Sequence, residues 1–264
     1  MQSWQVFEDK CTEYLKSKFS AYASFASQGG SDSTVSDILV ETKNGRVFYI
    51  EAKEERAQCG QFVLFPNKET RKFQYSKFNK TTLNEYSEDI IKYLNKHFDK
   101  FADVGTAGVD IDIPNAQEIF SNWIKTAYSE KRTRFFISKN FAIVPLADFD
   151  KAFSVTAKYR VKKSGSSPVP AKYVDKVSDY IKAHFASMRL AVLEKKLVAE
   201  TELSVDGVEI EIDGNNFMFS YKGGSRYEIR KLSNTYNANV IFSVKYVNDS
   251  YKLSDEKFIE ELKS

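Results

Sequence analysis

The chain reads as a mixed α/β protein, on three observations. Apolar residues recur at helical steps of three and four in some segments and alternate in others. The two patterns are interspersed rather than segregated, and the last third of the chain is the richer in strand pattern. With 264 residues, 42% hydrophobic and 28% charged, the composition is that of a chain with a sizeable core, which sets aside disorder, collagen and coiled coil as whole-chain readings.

The elements follow in order. Trp4, Phe7, Cys11, Tyr14, Leu15, Phe19 and Tyr22 form one helical stripe, broken at Gln28-Gly29-Gly30-Ser31. Two β-like runs, 36–42 and 46–53, meet across Asn44-Gly45, and a third, Phe62-Val63-Leu64-Phe65, stops at Pro66. A long helix is expected over 83–101, opened by Thr82 with Glu85 three residues on in a capping-box pattern. Another helix fits 116–128, followed by strands at 134–138 and 141–144. Ser164-Gly165-Ser166-Ser167-Pro168-Val169-Pro170 is a linker or a functional loop. Beyond it come a helix over 173–187, strands at 208–212, 217–221 and 240–246, and a closing helix over 255–262. The expected division is 1–163 and 164–264.

Composition removes several chemistries. Cys11 and Cys59 form no CxxC pair, and His97 and His184 are isolated, so a zinc site lacks ligands and a disulfide framework is not expected. Two histidines also argue against a Ser-His-Asp or Cys-His hydrolase, leaving carboxylates and lysine to carry any catalysis. No run reaches the roughly 18 apolar residues of a membrane span, and no secretory leader is visible; the chain is expected to be soluble and cytoplasmic. The formal charge of +3 permits a nucleic-acid partner without demanding one.

The informative stretch is 36–53. A two-residue Asn44-Gly45 loop would set Asp37 opposite Ala52 and mix polar with apolar residues on both faces. A three-residue Lys43-Asn44-Gly45 loop, with Gly45 left-handed, shifts the register by one. Ile38 then faces Ile50 and Val40 faces Phe48 on one apolar side, while Asp37 faces Glu51 on the other, where Lys53 also lies. Adjacent carboxylates repel unless a cation or proton intervenes, and Mg²⁺ takes one or two carboxylates while keeping waters for phosphates. A lysine beside them can orient or help deprotonate water, or offset charge on a phosphate. Asp37, Glu51 and Lys53 thus suit phosphodiester hydrolysis. The competing account is a structural hairpin on which charges happen to fall.

Ser36-Asp37, thirteen intervening residues and Glu51-Ala52-Lys53 resemble the signature of the PD-(D/E)XK nucleases, most of all type II restriction endonucleases. The resemblance covers residues 1–65, with Ser36 where the signature has proline. It implies a restriction-endonuclease-like central mixed β-sheet flanked by helices, with a β-rich C-terminal part. It further implies Mg²⁺ on Asp37 and Glu51 with the Ala52 carbonyl as a further ligand, and Lys53 acting on the attacking water. Glu8 matches a helical acid that some relatives place near the metal, and Gln58 or Gln61 would contact DNA near the scissile phosphate. Asp32 rivals Asp37 as the first acid.

Two basic clusters could hold DNA. Lys158–Ser167, with Lys162, Lys163, Ser164 and Ser166, joins lysines to a hydroxyl-rich loop that suits phosphates. Tyr221–Lys231, with Lys222, Arg226, Arg230 and Lys231, joins glycines to arginines able to meet guanine edges, with Asn234 just beyond. Each alone is more simply a solvated loop or a charged element face. Asp110 and Asp112 lack EF-hand spacing, and no GxxxxGK[ST] motif is present.

The combined expectation is a Mg²⁺-dependent, sequence-specific double-stranded DNA endonuclease of the type II restriction class, acting as monomer or homodimer. A cognate DNA methyltransferase is the partner implied by the resemblance. A repair or recombination nuclease with the same core, and a non-catalytic DNA-binding module, are the rivals.

Overall fold

The computed structural model describes residues 3–28, 35–163, 165–185, 187–233 and 235–264. The chain begins with α1 (Ser3–Phe19), β1 (Ala23–Ser27), β2 (Ile38–Thr42), β3 (Val47–Ala52), β4 (Arg56–Asn67) and β5 (Lys72–Tyr75). It continues through α2 (Glu85–Lys96), α3 (Phe98–Phe101), β6 (Val109–Asp110), α4 (Ala116–Glu130), β7 (Thr133–Ser138), β8 (Ala142–Pro145), α5 (Phe149–Ala152) and β9 (Phe153–Lys163). Then come β10 (Ser166–Pro168), α6 (Ala171–His184), β11 (Arg189–Leu193), β12 (Lys196–Glu200), β13 (Glu209–Ile212), β14 (Asn215–Tyr221), β15 (Arg226–Leu232), β16 (Tyr236–Tyr246) and α7 (Asp255–Lys263). Among the described residues no helix is long and apolar enough to cross a membrane.

The chain divides into two units. One runs to Lys162 and resumes with Asn237–Ser264; the other is the insertion Lys163–Tyr236. The start of the insertion lies one residue from the boundary expected from the sequence. Its end differs, because 237–264 returns to the first unit: β16 pairs with β4, and Phe258 and Leu262 of α7 are buried beside α1. That return rests on pairing across about 180 residues, which no local pattern announces.

The first unit holds two sheets. The mixed sheet has the order β1-β2-β3-β7-β8, with β3 and β7 parallel. Its apolar face (Ile38, Val40, Phe48, Ile50, Phe135, Ile137) packs against Cys11, Leu15 and Phe19 of α1. The second sheet has the order β5-β4-β16-β9-β6. Its inner face (Phe62, Leu64, Phe242, Val155, Tyr159) is buried with Phe120, Trp123 and Ile124 of α4 and Ile90 and Leu94 of α2. In the insertion, α6 shares a core with the β11-β12-β15-β14-β13 sheet through Val177, Ile181, Phe217, Phe219 and Ile229.

The hairpin takes the register that apolar segregation predicts: Ile38 faces Ile50, Leu39 faces Tyr49 and Val40 faces Phe48. Thr42 and Arg46 close a three-residue loop with Gly45 at φ +85°. Two helix expectations differ from the structure. The helix expected over 83–101 breaks at His97, whose φ −114°, ψ 35° lies off the helical region. Its cap is Asn84, not Thr82: the Asn84 side chain accepts from the Ser87 N–H at 2.9 Å.

In β4 the pairing with β16 slips by one between Gln58 and Gln61, a β-bulge with Gly60 at φ +89°. A Cβ on Gly60 would lie 2.7 Å from the Trp123 ring, so both backbone and space demand glycine there. The extra residue keeps Cys59 and Phe62 buried and leaves Gln58 and Gln61 both exposed on the opposite face.

Candidate active site

Three elements bring the hairpin acids and lysine to one corner. Asp37 enters β2 on a segment pinned by Ser36, whose hydroxyl lies 2.7 Å from that of Thr133 at the start of β7, both buried. Ser36 is thus tied by a hydrogen bond to β7, which lies on the far side of β3 in the sheet. The Ala52 N–H donates to Asp37 Oδ2 at 2.9 Å, fixing the first acid to the end of β3. Lys53 is held in line by its own N–H, which donates to the Ile137 carbonyl at 2.9 Å.

Glu51 is 4% exposed and accepts twice at Oε1, from Lys53 Nζ at 2.6 Å and from the Tyr128 hydroxyl at 2.8 Å. Tyr128 is itself buried on α4. Lys131, which caps α4, sits 4.8 Å from the Tyr128 ring centroid, and its charge favours the ionised forms of Asp37 and Glu51.

The corner carries excess negative charge. Burial, then the neighbouring Glu51, pushes the Asp37 carboxyl up to about 7 despite Lys53. Burial and Asp37 push Glu8, 8% exposed on α1, up to about 9. Glu51 goes the other way: although burial opposes it, Lys53 holds its carboxyl below the usual range. Lys53 is raised, because the charges of Glu51 and Asp37 outweigh its burial. Burial pushes the Cys59 thiol beside this corner up to about 12, so it offers no thiolate nucleophile.

The buried carboxyls of Asp37, raised by burial and by Glu51, and of Glu51, held low by Lys53, form a donor set of hard oxygens that a small divalent cation would suit. Among the described residues no group of three or more His, Cys, Asp or Glu side chains is arranged to hold a metal. Glu8, on α1, lies near Asp37 and Glu51, its carboxyl raised by burial and by Asp37. The pair Asp37 and Glu51 still meets the one or two carboxylates that Mg²⁺ takes.

The DNA-contact residues expected from the sequence scatter. Gln58 and Gln61 lie together, with Gln58 Nε2 donating to Gln61 Oε1 at 3.0 Å, and Lys162 Nζ donates to both Oε1 atoms at 3.3 Å. Lys163 ends β9, while Ser164, Asp32 and Asn234 lie outside the described residues. In the insertion, Arg230 is tied down: Nε and Nη2 donate to Ser166 Oγ (2.7 Å) and carbonyl (2.8 Å), and Nη1 to Glu228 Oε1 at 2.5 Å. Lys222 also meets Glu228, at 3.5 Å. An arginine with every donor nitrogen engaged and a side chain 11% exposed is a strut in this arrangement, as is Ser166. Arg226 is exposed at the start of β15, and Lys231 lies 5.3 Å from the Tyr173 ring centroid.

Sequence reasoning misses Tyr128 and Thr133. Tyr128 stands 77 residues from Glu51 on an amphipathic helix, where its apolar neighbours disguise it as core. Neither histidine enters the corner: His97 packs on Tyr93 and His184 on Tyr180.

Among solved structures, the HhaI endonuclease in complex with DNA is similar to this chain, with a TM-score of 0.73 and 35% sequence identity over 99% of each chain. No family model matches the chain, and no curated protein does.

Proposed function

The chain belongs to the family of the HhaI endonuclease, and from that premise we propose that it is a sequence-specific double-stranded DNA endonuclease of the type II restriction class, with a PD-(D/E)XK centre at Asp37, Glu51 and Lys53. The observation that carries the reading is the meeting of these three side chains at the end of β3, in a chain alike over its whole length to a nuclease that has been seen on DNA. Asp37 and Glu51, with the Ala52 carbonyl, would hold Mg²⁺, which when bound supplies a Lewis acid for the scissile phosphodiester and acidifies the attacking water.

The chain's own groups do the rest. Lys53 is held protonated by Glu51 and Asp37, so here it acts as a donor: it orients the attacking water or offsets charge building on the phosphate. Tyr128 fixes the Glu51 carboxylate by occupying one lone pair of Oε1. Water attacks phosphorus in line, the bond to the 3′ oxygen breaks, and that oxygen takes a proton, leaving 5′-phosphate and 3′-hydroxyl ends. A DNA methyltransferase of matching specificity would protect the host, and the enzyme would work in the cytoplasm as a monomer or a homodimer.

Digestion of unmethylated bacteriophage DNA tests the reading. Wild type with Mg²⁺ is expected to give discrete fragments with common ends, while EDTA or Lys53→Ala abolishes them. Binding without cleavage on every DNA and divalent ion would favour a non-catalytic DNA-binding module. Cleavage confined to branched or damaged substrates would favour a repair nuclease.

A further inference from the structure

At its Arg56–Lys245 end the outer face of the β4–β16–β9 sheet is exposed and basic, while Asn239 and Ile241, further along the same face of β16, are buried. On β9, Lys158, Arg160 and Lys162 project to one face at two-residue steps while Val155, Ala157 and Tyr159 are buried on the other. Across the sheet, Lys245 of β16 pairs with Arg56 of β4, and Ser243 pairs with Gln58. All four of these are exposed. The contact of Lys162 with Gln58 and Gln61 shows that β9 and β4 turn these side chains to the same side.

Of these cations only Lys158 forms an ion pair with an acid among the described residues. Asp110 lies 3.5 Å from Lys158, and Glu55, which feels Arg56 and Lys245, is already paired with Lys139. Burial, and then the like charge of Arg160, depress Lys162. The cluster is also selective in its chemistry. Lys162 donates to both glutamine Oε1 atoms, and the amide N–H groups of the two glutamines add donors beside the cations; such donors match phosphate oxygens. The face begins at Arg56, three residues beyond Lys53, and the Gly60 bulge is what puts both glutamines on it.

We infer that this sheet face is a phosphate-tracking surface that holds the backbone of the substrate duplex beside the Asp37–Glu51–Lys53 corner, with Lys162 clamped by Gln58 and Gln61 as its fixed point. The inference rests on the nuclease reading and adds Arg56, Lys158, Arg160 and Lys245 to the residues that meet DNA. Phosphate contacts carry no sequence information, so they act alike on cognate and unrelated duplexes.

The test is fluorescence anisotropy of a labelled duplex in EDTA, where no cleavage occurs, over a KCl series. Arg160→Ala/Lys245→Ala is compared with wild type and with Lys252→Ala/Lys257→Ala, which removes the same charge from exposed sites elsewhere. The face variant is expected to lower the slope of log affinity against log salt by about 0.9 for each phosphate it no longer neutralises, equally on any duplex sequence. The control pair leaves the slope unchanged. An unchanged slope in the face variant, or an equal fall in the control, overturns the inference. Wild-type cleavage with an unchanged slope in the face variant overturns this inference alone; a wild type that neither binds nor cuts any duplex overturns the nuclease reading with it.

Discussion

Glu51-Ala52-Lys53 on β3 and Glu228-Ile229-Arg230 on β15 are the same local device in the two units of the molecule. Each is a nearly inaccessible glutamate, 4% and 2% exposed, with a cation two residues on along the same strand face. Their surroundings differ. Glu228 meets two cations, Arg230 and Lys222, and Arg230 completes its hydrogen bonds on Ser166, so the cluster is closed. Glu51 shares its lysine with Asp37 and has Glu8 nearby, both raised toward their protonated forms, so that cluster is short of positive charge. A Glu-x-cation step in a strand does not by itself distinguish a strut from a reactive site; the balance of carboxylates against cations around it does.

The predictions test that contrast, beginning with turnover. Lys53→Ala should lower Mg²⁺-dependent cleavage by about 10²–10³-fold or more, measured by plasmid digestion, with duplex binding retained. Equal cleavage would remove Lys53 from the chemistry. On the closed side, Glu228→Gln leaves two cations around a neutral group and should lower unfolding stability by about 3 kcal/mol, read by urea denaturation. A variant as stable as wild type would mean that the Glu228 cluster is not closed in the sense argued.

Gly60→Ala should cost about 2 kcal/mol or more, since it forces a side chain into a left-handed backbone against the Trp123 ring. Its thermal melt measures this, and a shift of under about 1 °C would discount the bulge. The acids predict a pH effect of opposite sign to the usual one. Asp37 and Glu8 titrate higher folded than unfolded, so the folded protein binds more protons, and metal-free stability falls as pH rises from about 4 through about 7 and 9. Melts in EDTA at three pH values should show the fall, flattened in Asp37→Asn, which should gain about 1–3 kcal/mol at neutral pH. Tyr128→Phe, the smallest change, should raise the Mg²⁺ needed for half-maximal cleavage by about tenfold while leaving duplex affinity in EDTA unchanged.

Much of this was legible in the sequence where one face had to be apolar. The hairpin register follows from sorting Ile38, Val40, Phe48 and Ile50 to one side, and that sorting places Asp37 beside Glu51. What escaped has physical reasons. Ala23–Ser27 is an edge strand whose small residues alternate weakly, so the helix pattern before it ends without a visible successor. Gly60 within a strand pattern is a bulge signal, yet only the packing of Trp123 shows its need. Tyr128 and the return of 237–264 depend on partners far away in the chain. The hydrogen bonds of Arg230 to Ser166, 64 positions away, likewise have no local signal.

The most direct measurement digests unmethylated DNA with Mg²⁺ using Asp37→Asn and Glu228→Gln side by side with wild type, below the melting temperature of each. The account predicts that Asp37→Asn is at least as stable as wild type and binds duplex but does not cut, while Glu228→Gln is less stable and cuts at the wild-type sites. Cutting by Asp37→Asn at a rate near that of wild type would contradict it.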